Sequence, residues 1–357
     1  MSAPLLENIL GQPEAVRIVA EYQLGAGRET LRRTAELLRS KKRILLSGMG
    51  ASYFACLPLY YRLLQRGWDV AAVETSELLH CRPASIGEHT AALLVSRSGE
   101  SVEVVKLLPF LKQRHSAVVG VVNAPESTLC SEADEAIVMN SPADQFAAIQ
   151  TYTATLVVLA LLEAAMFNEL DEAKGELQTT AELLASFVPE CVNTSRQGQK
   201  FLESNQPIYL LGRGSALGAV FEGVLLMHEV AKSPSVGMSV AQFRHGPVEV
   251  VDTDFRGIVI GTSEATTPLE AALVEDIGKM GGQVRWIGPA VEGKQVAPFI
   301  SWPAHVSSRF VSVFETIPLQ MMAYRKAEMR GLTPGEFRWA PLVTTSEEGF
   351  NIPSIQS

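Results

Sequence analysis

The sequence predicts an α/β protein built from two tandem units, each a mainly parallel sheet flanked by helices. Three observations lead there. Short apolar runs ending in Gly or Ser alternate with longer stretches of helical spacing, as in strands buried on both faces by crossover helices. The pattern restarts past the middle of the chain: L-L-S-G-M-G-A-S-Y-F-A at 45–55 is echoed by L-L-G-R-G-S-A-L-G-A at 210–219, superposing Gly48 and Gly50 on Gly212 and Gly214. The chain's 357 residues, at about 150 per domain, make roughly two domains.

Taken in order, residues 43–48 read as a buried strand and 57–66 as part of the helix that follows. Strands are expected at 70–74, 91–96, 118–123 and 136–139, with a helix at 102–112. Residues 153–186, rich in Leu, Ala and Glu, read as helical. The second unit offers strands at 208–212, 257–261 and 284–288 and a helix around 221–230, followed by an irregular stretch up to Phe243. The strand and loop at 95–100 (V-S-R-S-G-E) also has a counterpart, I-G-T-S-E at 260–264.

Composition narrows the partners. Thirty Lys+Arg against 39 Asp+Glu give a net charge of −9 with no basic tract, which argues against nucleic acid. An acidic chain binds an anion only through locally aimed N–H and hydroxyl groups, so a pocket is expected rather than a charged patch. Cys56, Cys81, Cys130 and Cys191 are scattered with no C-x-x-C pair, so free buried thiols in a reducing compartment are expected. The N-terminus lacks a basic, then apolar, leader pattern. The most apolar run, Leu156 to Leu162, meets Glu163 and is too short to span a bilayer. A soluble cytoplasmic protein, free of membrane, is the expectation.

Three constellations could carry chemistry. Ser96-Arg97-Ser98-Gly99-Glu100-Ser101 follows a buried strand and opens a helix, where unpaired N–H groups and the positive end of the helix dipole favour a phosphate. The serines add hydroxyl donors, Gly99 permits close approach, and Arg97 supplies charge; an ordinary Ser/Glu capping turn would look similar. Gly48-Met49-Gly50-Ala51-Ser52 is the second turn of the same edge. It is a poor dinucleotide fingerprint, because Tyr53 stands where the third glycine would be. The two turns converge at the carboxyl ends of the strands and favour one compact phosphate site. The matching turns of the second unit carry fewer hydroxyls, so its pocket looks degenerate.

The third constellation places Glu222, Leu226 and Glu229 at i, i+4 and i+7 on one helix face, a pattern that an exposed amphipathic helix would also produce. His245 follows in Phe243-Arg244-His245-Gly246-Pro247, a loop that presents an imidazole although most loop histidines are not catalytic. His228 points to another face and reads as a satisfied helix histidine. His80, His89, His115 and His305 lack metal-ligand spacing, so neither a metal nor a cofactor is expected.

As a set these motifs resemble the double sugar isomerase (SIS) domain family, and within it the isomerase half of glucosamine-6-phosphate synthases. The likeness runs from Glu7-N-I-L-G-Q-P through G-M-G-A-S-Y-F-A, S-R-S-G-E-S, Leu211-G-R-G, F-E-G-V-L-L-M-H-E and F-R-H-G-P to Ile317-P-L-Q-M-M-A-Y, nearly the whole chain in consistent order. It implies two SIS subdomains, each a mainly parallel five-stranded sheet of flavodoxin-like form, at 29–170 (phosphate-binding) and 171–334 (carrying Glu229 and His245). An N-terminal helical segment at 1–28 and a C-terminal tail at 335–357 near the active site complete it. The ligand implied is a sugar 6-phosphate held by Gly50, Ala51, Ser52, Ser96, Arg97, Ser98, Gly99 and Ser101, with sugar contacts from Glu222 and Arg338.

Glu229 falls on the family's proton-transferring glutamate. His245 falls on its ring-opening histidine, which in the family reaches a neighbouring subunit's site and so implies a homodimer. Those residue types fit the chemistry. Histidine moves a proton between ring oxygen and anomeric hydroxyl, and glutamate shuttles one between C1 and C2, without a metal. Three departures shape the expected activity. There is no glutaminase segment, the family lysine that would meet a keto group is Leu342, and Gln145 to Thr153 departs from the hydroxyl-rich pattern. Glutamine-dependent synthesis is therefore not expected. The expectation is an isomerase or deaminase of a hexose or amino-sugar 6-phosphate, with a non-catalytic sugar-phosphate sensor or an inactive subunit as alternatives.

Overall fold

The computed structural model describes residues 4–261, 265–303, 305–339 and 343–349. Three helices lead in: α1 (Pro4–Leu10), α2 (Gln12–Leu24) and α3 (Arg28–Arg39). The first sheet unit runs β1 (Arg43–Gly48), α4 (Ala51–Gln65), β2 (Val70–Ala72), α5 (Thr75–Cys81), β3 (Thr90–Val95), α6 (Val102–Gln113), β4 (Ala117–Val122), α7 (Thr128–Glu132) and β5 (Glu135–Val138). Helices α8 (Gln150–Met166) and α9 (Leu170–Gln197) cross to the second unit. That unit begins with α10 (Gln199–Leu202), β6 (Ile208–Gly212), α11 (Leu217–Glu229), β7 (Ser235–Ser239) and α12 (Val240–Arg244). It ends with β8 (Arg256–Ile260), α13 (Thr267–Lys279), β9 (Gln283–Ile287), β10 (Pro298–Ile300) and α14 (Val311–Met329).

Each sheet has five strands, all paired in parallel, and the order is the same in both: β2-β1-β3-β4-β5 and β7-β6-β8-β9-β10. This is the flavodoxin-like order, whose ligands sit beyond the carboxyl ends of the strands where the order reverses. The continuous apolar runs of β3 and β4 are buried along their whole length, as expected of central parallel strands. Helix α11 of the second unit packs on α4 of the first and on α14, so its last turn is brought to the carboxyl edge of the first sheet.

Several elements differ from expectation. The helical stretch at 153–186 is two helices, broken at Phe167–Glu169 with Asn168 left-handed at φ 60°. Strand β7 lies in the stretch expected to be irregular. All five of its residues are half-buried, and a short edge strand of Ser, Val, Gly and Met carries no apolar run to announce it. The thiols also need correction: Cys56 and Cys191 are buried, but Cys81 is exposed and Cys130 half-buried.

Candidate active site

Two turns at the carboxyl edge of the first sheet make one wall. After β1 the chain reverses at Gly50, whose φ of 49° is a left-handed conformation that glycine adopts without strain. Gly50, Ala51 and Ser52 then open α4. After β3, Ser96 is buried; its Oγ accepts the Gly99 N–H at 3.1 Å and lies 3.3 Å from Ser101 Oγ. Gly99 has φ 66°, and a Cβ there would stand 2.1 Å from Ser127 Oγ, so both backbone and space demand glycine. Ser98 Oγ accepts the Glu100 N–H at 3.2 Å. The Glu100 carboxylate is turned outward, accepting the Thr128 N–H at 2.5 Å and the Thr128 hydroxyl at 2.9 Å. The turn's one acid is thereby taken up by the start of α7, while Arg97 faces the cavity and donates from Nη1 to Phe146 O at 3.5 Å.

These turns, the last turns of α11 and the C-terminal segment enclose a cavity of about 330 Å³. Gly50, Ala51, Ser52, Ser96, Arg97, Ser98 and Ser101 line it, with Leu225 and Glu229 opposite. Gly99 shapes the turn without lining the cavity. Glu229 is half-buried, and burial pushes its carboxyl up to about 7 against the pull of Arg97 and Lys232. A carboxyl balanced near neutrality can both take and return a proton.

The other expected residues lie elsewhere. Glu222 shares the helix face of Glu229 but is 0% exposed and stands behind the cavity wall, which corrects the expected sugar contact. Both of its carboxyl oxygens lack a hydrogen-bond partner among the described residues. Burial, followed by Glu229 and Asp144, holds it well above the usual carboxylate range, so it is a neutral acid. Arg338 is exposed and outside the lining, again not where a sugar contact was expected. His245 ends α12 on the exposed surface and does not line this chain's cavity. His228 Nε2 accepts the Ser235 N–H at 3.2 Å, as expected of a satisfied histidine. Leu342 lies outside the described residues, as do 262–264 of the second unit's matching loop.

Although sequence reasoning expected the tail at 335–357 near the active site, it named none of the lining residues in two further parts of the wall. Phe146, Ala147 and Ala148 line it just ahead of α8, and Phe337, Val343 and Thr344 close it from the C-terminal segment. Asp144 fixes the first group. Its carboxylate accepts the N–H groups of Ile149, Gln150 and Thr151 at 2.9–3.0 Å and the Thr151 hydroxyl at 2.6 Å. An aspartate shortly before a helix was the available signal. In the C-terminal segment, Thr344 O accepts the N–H of Val102, the first residue of α6.

Residues 37–165 match the family model described as "SIS domain". That segment is a SIS domain. Among curated relatives, the glutamine–fructose-6-phosphate aminotransferase of Pyrococcus horikoshii is 28% identical over 340 residues, covering 92% of this chain and 55% of that protein. The chain spans about half the length of the curated relatives it matches. Among solved structures, the C-terminal domain of glucosamine-fructose-6-phosphate aminotransferase from Francisella tularensis superposes with a TM-score of 0.81 at 20% identity, covering 93% of this chain and 97% of that one. A glucosamine-6-phosphate deaminase from Thermotoga maritima superposes at 0.71 with 20% identity, covering 96% and 99%. The whole chain thus shares the fold of these structures, with two tandem subdomains of parallel five-stranded sheet. Among the described residues no group of three or more His, Cys, Asp or Glu is placed to hold a metal, and no helix is long and apolar enough to cross a membrane.

Proposed function

We propose that the cavity binds a hexose or amino-sugar 6-phosphate and that Glu229 moves a proton between its C1 and C2. The observation that carries this reading is the shared cavity: a hydroxyl-rich helix-opening turn with Arg97 on one wall, and a carboxyl titrating near 7 on the other. The phosphate would sit on Ser52, Ser96, Arg97, Ser98 and Ser101, with the N–H groups of two helix starts behind it. Held there, the open-chain sugar lies with its first carbons toward Glu229. The carboxylate takes the C2 proton of the aldose while O1 gains one, giving an enediol. It returns its proton to C1 as the C2 hydroxyl loses its own to become the ketone, so that one proton passes in net from O2 to O1. When C2 bears nitrogen, the same transfer gives an imine at C2, which water hydrolyses to ketose and ammonia. The sugar enters mostly as a closed ring. His245, exposed on one copy, would serve ring opening in the cavity of a second copy within a homodimer.

A coupled screen of hexose and hexosamine 6-phosphates, following ketose and ammonia separately, tests the reading and separates isomerase from deaminase. On the substrate found, Glu229→Gln keeps the shape and removes the base, so turnover should fall about 10²-fold or more while binding is retained. Near-normal turnover by that variant would overturn the assignment. Tight binding of sugar phosphates without turnover by the wild type would replace it with a sensor.

A further inference from the structure

We propose that Lys232 is a positioning residue of this site: its ammonium clips the C-terminal segment to the carbonyl end of the helix that carries Glu229. The inference deepens the proposed function and rests on it for the role of Glu229. Lys232 lies three residues past the end of α11 and is left-handed, at φ 49°. Glycine is the usual residue at such positions after a helix, because a side chain strains the backbone there. A lysine in its place points to a task for the side chain.

The contacts show that task. Lys232 Nζ donates to the backbone carbonyl of Glu229 and to that of Glu336. The first bond satisfies an end carbonyl of α11 with a cation, where the helix dipole favours one. The second holds the chain next to Phe337, which lines the cavity. Farther along, Thr344 O accepts the Val102 N–H at 3.0 Å, and Glu347 pairs with His80 at 2.8 Å and Lys106 at 2.6 Å. The segment is thus anchored to α11 at one end and to the first sheet unit at the other. Without Lys232 only the second anchor of these remains.

Charge adds a second consequence. The charged groups acting on Glu229 and its clip are Arg97 from the turn after β3 and Glu336 and Arg338 from the C-terminal segment; Glu222, on the same helix, is itself raised by Glu229 and stays protonated. Arg97 and Lys232 are the cations that favour the ionised Glu229. Loss of the Lys232 ammonium should therefore leave the carboxyl protonated to higher pH.

The test uses the full chain with ¹³Cδ-labelled glutamate, and Glu229→Gln to assign the Glu229 resonance. Lys232→Met removes the ammonium. Lys232→Gly removes it while relaxing the backbone, which guards against loss of the fold. In both, the Glu229 titration should move upward, amide exchange at 335–339 should quicken about tenfold or more, and the acid limb of the pH–rate profile should shift the same way. Lys232→Arg should restore the wild-type titration. Titration and exchange unchanged in both the Met and Gly variants would overturn the proposal. Neither readout needs turnover, so failure of the proposed reaction and failure of the clip remain distinct results.

Discussion

At the carboxyl edge of the first sheet, the turn after β1 places Met49 beside Gly50, and the first turn of α6 has Val105 at its fourth position. At the matching edge of the second sheet, Arg213 stands beside Gly214, and Glu270 occupies the fourth position of α13. The backbones agree, with Gly50 at φ 49° and Gly214 at φ 57°. The side chains do not. Arg213 Nε lies 3.4 Å from the buried Glu270 carboxylate, so the second edge carries an internal anion where the first presents hydroxyls and Arg97. In the same frame, the turns of the first edge line the cavity and those of the second carry an internal ion pair. The second unit reaches the cavity instead through the far end of α11, which starts at that paired edge and delivers Glu229 to the first.

The comparison breaks most visibly at the two glycine-bearing edges. Gly99→Ala forces a side chain into a left-handed backbone and against Ser127 Oγ, so it should cost about 3 kcal/mol and disable anion binding. Gly214→Ala meets nothing within 4 Å and should cost only about 1 kcal/mol for the backbone. Urea unfolding of the two variants measures the difference. Equal losses would mean that the tight seat of Gly99 against Ser127 is not real.

The carboxyls facing the two edges should respond to different degrees. Folding raises Glu229 from 4.5 to about 7, so the native state keeps its proton to higher pH than the unfolded chain does. Its contribution is most favourable below 4.5, declines as pH rises to about 7, and is level above that. Glu229→Gln should therefore stabilise the protein by about 2 kcal/mol at pH 8 and hardly at all at pH 4.5. Burial raises the Glu270 carboxyl as well, against the pull of Thr266 and Arg213, so Glu270→Gln should gain less at pH 8 than Glu229→Gln, because it also strips the partially buried Arg213 of its counter-charge. Denaturant titrations of both variants at the two pH values give the answer. A gain from Glu270→Gln as large as that from Glu229→Gln would remove the contrast.

Much of this was legible in the residues. Buried parallel strands write themselves as apolar runs, and turns that bind anions need Gly and Ser at set places, so β1, β3 and the Ser96–Ser101 turn could be read directly. Glu229 was found by its spacing and by family likeness. What stayed hidden depends on distance in sequence. Glu222 shares a helix face with Glu229, and only the packing of α11 against α4 and α14 decides that one carboxyl meets the cavity and the other is sealed behind it. Phe337, Val343 and Thr344 belong to a segment without periodicity, so nothing local signals that it folds back over α6. Strand β7 is an edge whose partner, β6, supplies the order its own residues do not.

The smallest effect concerns the two arginines. Arg97 lines the cavity and pulls on Glu229, whereas Arg213 is committed to Glu270. Arg97→Ala should weaken binding of inorganic phosphate or a hexose 6-phosphate about tenfold, a loss of ~1.4 kcal/mol typical of one hydrogen bond to a charged group. The serine hydroxyls and helix N–H groups keep most of the site, so binding should survive. The same change removes a cation beside Glu229 and should move its titration upward. Arg213→Ala should leave both quantities unchanged, even though the buried Glu270 loses its partner and the fold is weakened. Calorimetric titration at fixed ionic strength separates local contacts from general charge screening. If Arg213→Ala weakens binding as much as Arg97→Ala does, the ligand sits at the second edge and the division of labour between the two sheets is wrong.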